Sequence, residues 1–253
     1  MTKDELIIAR IEDKIDQCRD GWYVTSTGFL DSHEQALVRS AVMHAAGVRT
    51  LMHGGYDGAE RRMLVCIPAE LPLSDEEATA ELISVLRVKK PPISRNLSHR
   101  DYLGSILGLG IERRLIGDIL VRDDGADILI LPEAADFLLR EYHQAGRTEV
   151  KTEEVPVRDV IIPEMRCEMI RDTVSSVRLD SVISSAFRIS RSNAAEAIRK
   201  GLVSLDHAEC LKTDIKVEEG AILTLKGKGK AVLEEIGSES KKKRIWIRIK
   251  RYI

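Results

Sequence analysis

The 253-residue chain is 43% hydrophobic and 32% charged, a composition for a soluble globular protein with room for two or three small domains. No run approaches ~18 consecutive apolar residues, and the N-terminal "MTKDELIIARIEDKIDQ" is too acidic for a signal peptide, so a cytoplasmic protein without a membrane span is expected. The formal charge of −2 hides a polarity: residues 171–253 hold 18 Lys+Arg against 11 Asp+Glu, and residues 1–170 hold 21 against 30. An acidic body with a basic tail suggests a polyanionic partner for the tail. Cys18, Cys66, Cys167 and Cys210 form no CxxC pair and no zinc pattern, so reduced thiols and no metal are expected.

Residues 1–72 read as a small α/β domain. The first helix carries Leu6, Ile7, Ile11 and Ile15 on one stripe and turns near Gly21. "DSHEQALVRSAVMHAAG" is a second helix, capped by Asp31 or Ser32 and ended by Gly47. "VRTLMHGGY" and "RRMLVCIP" are strands around "GGYDGAERR". That loop, with two arginines and three glycines, is open to two readings, a phosphate contact or a hairpin turn.

Residues 73–155 read as a strand at "ELISVLRV", a helix capped by Ser98 with Asp101 three residues on, a hairpin turning at Asp123–Gly125, a helix with Pro132 at its first position, and a strand in "RTEVKTEEV". The order βαββαβ predicts a ferredoxin-like (RRM-like) domain. Its strands read Ile-Leu-Val and Ile-Leu-Ile-Leu, and the whole chain has only three Phe, so base stacking on this sheet is not expected. "HRD" at His99–Asp101 lacks the other kinase elements, and "GLG" at 108–110 is too short for a dinucleotide fingerprint. Pro156 and Pro163 mark a linker over 156–172, in which "MRCEMIRD" could form a bridging strand.

The basic tail, 173–253, holds the chemistry. "RLDSVISSAF" is a helix with Leu179, Val182, Ile183, Ala186 and Phe187 on one stripe and Arg178, Asp180 and Ser181 outside it. Ser190 can cap the next helix, with Arg191, Ser192 and Asn193 in its first turn and Gly201 past its end. A helix head lacks partners for its first N–H groups and favours an anion. Arg191 there, with the hydroxyls of Ser190 and Ser192, makes sense if a phosphate binds, and Arg199 and Lys200 extend the positive surface. The bland alternative is a capped surface helix with solvated charges. "KGKGK" adds Lys226, Lys228 and Lys230 without P-loop spacing. "KKKRIWIRIKRYI" contributes Lys242 and Arg244 and becomes a period-two strand. Ile245, Ile247 and Ile249 take one side; Trp246, Arg248, Lys250 and Tyr252 take the other, either to meet RNA or to pack on a neighbouring domain.

"VRLDSVISSAFRISRSNAAEAIRKGLVSL" with the glycine-marked hairpin resembles the S4 RNA-binding domain over residues 178–236. This module occurs in a ribosomal protein, pseudouridine synthases, tyrosyl-tRNA synthetases and a heat-shock ribosome-rescue factor. "LSHRDYLGSILGLGIERRLIGDILV" and "GGYDGAERR" resemble the bacterial YlmH family, which places such a domain behind two α/β units. The resemblance implies binding to rRNA and tRNA, a role in quality control on large ribosomal subunits obstructed by peptidyl-tRNA, and a reported link to cell division. The chain departs from the S4 pattern at Leu205-Asp206-His207, at Gly220-Ala221, and at Lys226 and Lys230, which replace arginines and so lose the bidentate fork. The expectation is therefore an α+β, monomeric, cofactor-free RNA-binding protein that is not an enzyme. Arg178, Ser190, Arg191, Ser192, Arg199, Lys200, Lys226, Lys228, Lys230, Lys242, Arg244 and Arg248 are its expected RNA contacts. The alternatives are an RNA-modifying enzyme such as a pseudouridine synthase, which needs a catalytic Asp, and an interaction scaffold.

Overall fold

Helix α1 (Lys3–Gly21) begins where Thr2 and Glu5 cap each other reciprocally, and it ends where Trp22 turns left-handed. The protein's computed structural model describes residues 2–43, 45–163, 167–206, 208–239 and 243–252. It divides into two compact units, Met1–Pro163 and Glu164–Ile253. Among the described residues no helix is long and apolar enough to cross a membrane, and no cluster of His, Cys, Asp and Glu is arranged to hold a metal ion.

In the first unit, α1 buries Ile7, Ile11, Ile15 and Cys18, while Leu6 faces solvent. Strand β1 (Thr25–Ser26) follows, then helix α2 (Ser32–Val42), capped by Asp31 with Glu34 closing the box. The helix stops at Val42, short of Gly47, because a turn holding Ala45 to Val42 and Val48 to Ala45 leads directly into a strand. Strands β2 (Val48–His53) and β3 (Met63–Pro68) complete an antiparallel sheet in the order β1-β3-β2. Alternation along β3 sends Leu64 and Cys66 toward α1 and α2, and Met63, Val65 and Ile67 to the opposite face.

After the short helix α3 (Asp75–Thr79) come β4 (Ser84–Lys89), α4 (His99–Gly108), β5 (Ile116–Arg122), β6 (Gly125–Ile130) and α5 (Pro132–Glu141). A small hairpin, β7 (Gln144–Ala145) with β8 (Thr148–Glu149), precedes β9 (Lys151–Val155). Ser98 and Asp101 form the expected capping box, and Pro132 opens α5. The four-stranded sheet runs β5-β6-β4-β9, antiparallel throughout. One face, with Leu86, Val88, Ala126, Ile128 and Ile130, packs on Tyr102 and Ile106 of α4 and Leu138 of α5. The other face, with Val85, Leu120 and Leu129, shares a core with Phe29, Met63, Val65 and Ile67. Residues 1–72 and 73–155 share this core within one compact unit, because two sheets bury their facing surfaces together. The double coverage explains why β6 is buried along its whole length.

The second unit opens with β10 (Cys167–Val174), where the sequence offered a bridging strand in "MRCEMIRD" within a linker to residue 172. The partner of β10 is β15 (Ile245–Tyr252), so the pairing is invisible to any local window. Helices α6 (Leu179–Phe187) and α7 (Arg191–Arg199) follow, with Arg188 left-handed at the break. Strands β11 (Val203–Leu205), β12 (Ala208–Glu209), β13 (Ile222–Leu225) and β14 (Gly229–Glu239) complete a six-stranded antiparallel sheet, β10-β15-β14-β13-β11-β12. Leu223, Leu225, Leu233, Ile247 and Ile249 point from it onto Leu179, Val182, Ile183, Ala186, Phe187, Ala194 and Ile198 of the helix pair.

Candidate nucleic-acid interface

The helix pair is organised around one carboxylate. Asp180 and Ser181 are buried, contrary to the amphipathic reading that left them outside the stripe. The reason is electrostatic: Asp180 accepts from Arg191 Nε at 2.9 Å and from Arg178 Nε at 3.3 Å. Burial alone would raise the pKa of this carboxyl, but the Arg191 hydrogen bond and charge, then those of Arg178, hold it below its ordinary value. Asp180 thus fixes two arginines of different elements side by side, the cap residue of α6 and the first residue of α7. Each guanidinium remains about half exposed, 41% for Arg178 and 50% for Arg191. Among the described residues only Nε of Arg191 is hydrogen-bonded, which leaves its two terminal nitrogens for an incoming anion.

Ser190 caps α7 by accepting from Asn193 N at 3.1 Å, and its hydroxyl lies 2.9 Å from that of Ser192. Among the described residues the N–H groups of Arg191 and Ser192 have no acceptor, so the helix head presents two amides rather than a full turn of them. Arg199 is exposed at the far end of α7. Lys200 is exposed too, but its ammonium pairs with Glu196 at 2.6 Å.

The other expected contacts distribute unevenly. Lys226 and Lys228 stand exposed in the β13–β14 turn, where Gly227 and Gly229 adopt the positive φ that the reversal requires. Lys230 lies one residue into β14, 5.7 Å from the Tyr252 ring centre. Arg248, in the middle of β15, is paired with Glu234 at 3.3 Å and Glu235 at 2.8 Å, which offsets its charge. Arg244 donates from Nε to Thr173 Oγ1 at 2.9 Å. Lys242 lies outside the described residues. Lys250 shares the strand side of Arg248 as the period-two pattern suggested, and Arg171 of β10 adds a cation that the sequence reading left out; only the pairing of β10 with β15 brings it there.

The first unit answers the question posed by "GGYDGAERR". Asp118 of β5 accepts from Tyr56 Oη at 2.7 Å, Glu60 N at 2.7 Å and Arg61 N at 3.0 Å. Arg61 donates onward to Ile116 O at 3.0 Å and Phe29 O at 2.7 Å. The loop is a clasp between sheets, and its first arginine is spent on backbone carbonyls. Burial lowers the pKa of Arg61, and burial with the nearby Arg61 charge lowers that of Arg113 to about 10, with Asp118 opposing both shifts.

Two family models match the chain: "YlmH, N-terminal" over residues 3–71 and "Putative RNA-binding domain in YlmH" over residues 79–159. A Bacillus subtilis (strain 168) protein named "Ribosome-associated protein quality control protein P2" is 33% identical over 216 residues, 85% of this chain and 82% of that protein. The chain belongs to the YlmH family. A solved structure, "Cell division protein ylmH from Streptococcus pneumoniae", shares the fold with a TM-score of 0.51 at 23% identity, covering 64% of this chain and 96% of that one. The two YlmH-like motifs meet in space: Asp118, from "LIGDILV", holds the loop "GGYDGAERR" in place. The match over 79–159 gives an RNA-binding description to the segment whose sheet is covered on both faces, so that sheet offers no stacking platform.

Proposed function

We propose that this YlmH-family chain is a non-catalytic RNA-binding factor that holds rRNA and tRNA backbone on large ribosomal subunits obstructed by peptidyl-tRNA. The observation that carries the reading is the pair Arg178 and Arg191, fixed by Asp180 beside the unpaired amides that begin α7. Two guanidiniums on one carboxylate and two free amides at the head of the helix that carries Arg191 suit a phosphate rather than a base edge. The name of the Bacillus relative supports the ribosomal setting. We read Leu179–Leu225 and the start of β14 as an S4-type domain, and β4 to β9 as a ferredoxin-like domain. The strand order β5-β6-β4-β9 in a βαββαβ chain supports the latter. In this middle segment RNA would meet the loop edge bearing Arg95, Arg100 and Arg147, all exposed. Asp180, buried and held by two arginines, is unsuited to nucleophilic or base chemistry, which favours a binding role over a pseudouridine synthase. The protein acts as a monomer in the cytoplasm on this reading. Sedimentation of the protein with stalled large subunits tests it: wild type co-sediments and Arg191→Glu is largely released, whereas equal co-sedimentation of the two contradicts it.

A further inference from the structure

We infer that the sheet face of the second unit turned away from its helices is a separate contact for unpaired nucleotides, with Trp246 as the stacking platform. The inference rests on the RNA-binding reading above but does not use the helix-head residues Arg178 and Arg191. Ile247 and Ile249 point into the helix-packed core, so alternation places Trp246, Arg248, Lys250 and Tyr252 on the opposite side of β15. Register adds Met169 and Arg171 from β10 and Lys230 and Val232 from β14 to the same side.

Trp246 is 49% exposed and Met169 47%, large apolar groups that the fold leaves uncovered. Beside Trp246 lies a cavity of about 270 Å³ lined by Arg171, Glu235, Gly237, Trp246, Ile247 and Arg248. It falls below the roughly 300 Å³ at which ordinary small-molecule sites begin, and one flat ring would occupy it better than a larger ligand. Gly237 keeps that part of the wall without a side chain: a Cβ there would come within 3.2 Å of the Trp246 Cβ.

The charges on this face select the occupant. Glu234 and Glu235 offset Arg248, and Arg171 and Lys250 add further cations to the face. Lys230 and Lys250 each lie 5.7 Å from the Tyr252 ring centre, so the second aromatic is flanked by ammonium groups. Rings interleaved with cations fit a strand whose bases stack and whose phosphates lie between lysines. A protein partner would need continuous apolar area, which the cations interrupt. A duplex keeps its base faces inside the stack and cannot use Trp246.

The test compares full-length variants against two probes, a short single-stranded oligoadenylate and an RNA duplex, by fluorescence anisotropy. Trp246→Ala weakens single-strand binding by about tenfold or more and leaves duplex binding unchanged, while Trp246→Phe retains most of the affinity. Lys250→Gln weakens single-strand binding independently of the ring. In Trp22→Phe, Trp246 is the only remaining tryptophan, and oligoadenylate quenches its emission. Absence of quenching, or a Trp246→Ala variant that loses neither probe or both equally, overturns the inference. Arg191→Gln separates the two readings: it weakens duplex binding if the helix-head site is right, whatever Trp246 does.

Discussion

Replacing Arg191 by glutamine removes one cation from the helix head and leaves its length. In the native protein the guanidinium donates Nε to Asp180 at 2.9 Å and keeps its terminal nitrogens for phosphate. Loss of one charge-assisted contact is worth about 1.5–3 kcal/mol, or roughly 10- to 100-fold in dissociation constant. One fewer neutralised phosphate also lowers the slope of log K against log salt by about 0.9 on duplex RNA. The cost to folding is smaller, because Arg178 still holds Asp180 at 3.3 Å and the lost pair was half exposed; about 1 kcal/mol is expected. Anisotropy titrations with hairpin RNAs of unrelated sequence, repeated between ~50 and ~200 mM KCl, measure both quantities. Each hairpin should lose affinity by the same factor. An unchanged slope and affinity, or a loss confined to one sequence, would refute the phosphate assignment.

Asp180→Asn removes the anchor of both arginines, so RNA binding should weaken although a negative charge has gone. Its folded pKa lies below the unfolded value of about 3.9, so its stabilising contribution is present at neutral pH and is lost as pH falls through the acid range. Denaturant unfolding should find the variant about 1 kcal/mol weaker at neutral pH, with the gap narrowing as pH falls through the acid range; a pH-independent gap would contradict this. Asp118→Ala frees three donors of the 54–62 clasp and leaves the adjacent Arg61 and Arg113 with Asp31 and Glu34 as counter-charges, a loss of about 2–4 kcal/mol by thermal unfolding; a loss below about 0.5 would show that the clasp is dispensable. Gly125→Ala should disrupt the β4–β6 ladder, because its Cβ would sit 1.8 Å from Val88 O; a variant with wild-type stability would show that the hairpin has another way to turn.

The elements written into local pattern were legible. The capping box at Ser98, the cap at Asp31, Pro132 at a helix start, Gly201 past a helix end and the Ile245-Ile247-Ile249 alternation all lie within a few residues of what they determine. Non-local features were not legible. The sequence offered a bridging strand in "MRCEMIRD" where β10 lies, but not its partner, which is some 80 residues downstream. The core shared by the first two segments depends on Met63, Val65 and Ile67 meeting Val85 and Leu129, which no periodicity reports. Within the site, the helix-head residues could be read from spacing, but the burial of Asp180 could not, since an Asp beside an arginine looks like a solvated pair. Arg248 shows the converse: its basic surroundings in sequence concealed Glu234 and Glu235, placed beside it only by the β14–β15 ladder.

Ultraviolet crosslinking of the full-length protein to stalled large ribosomal subunits, with mass spectrometric mapping of the RNA-linked peptides, tests the central claim most directly. The account predicts adducts on the peptides carrying Arg178, Arg191 and Lys226–Lys230. Crosslinks confined to residues 1–163, with the helix pair unmodified, would contradict it.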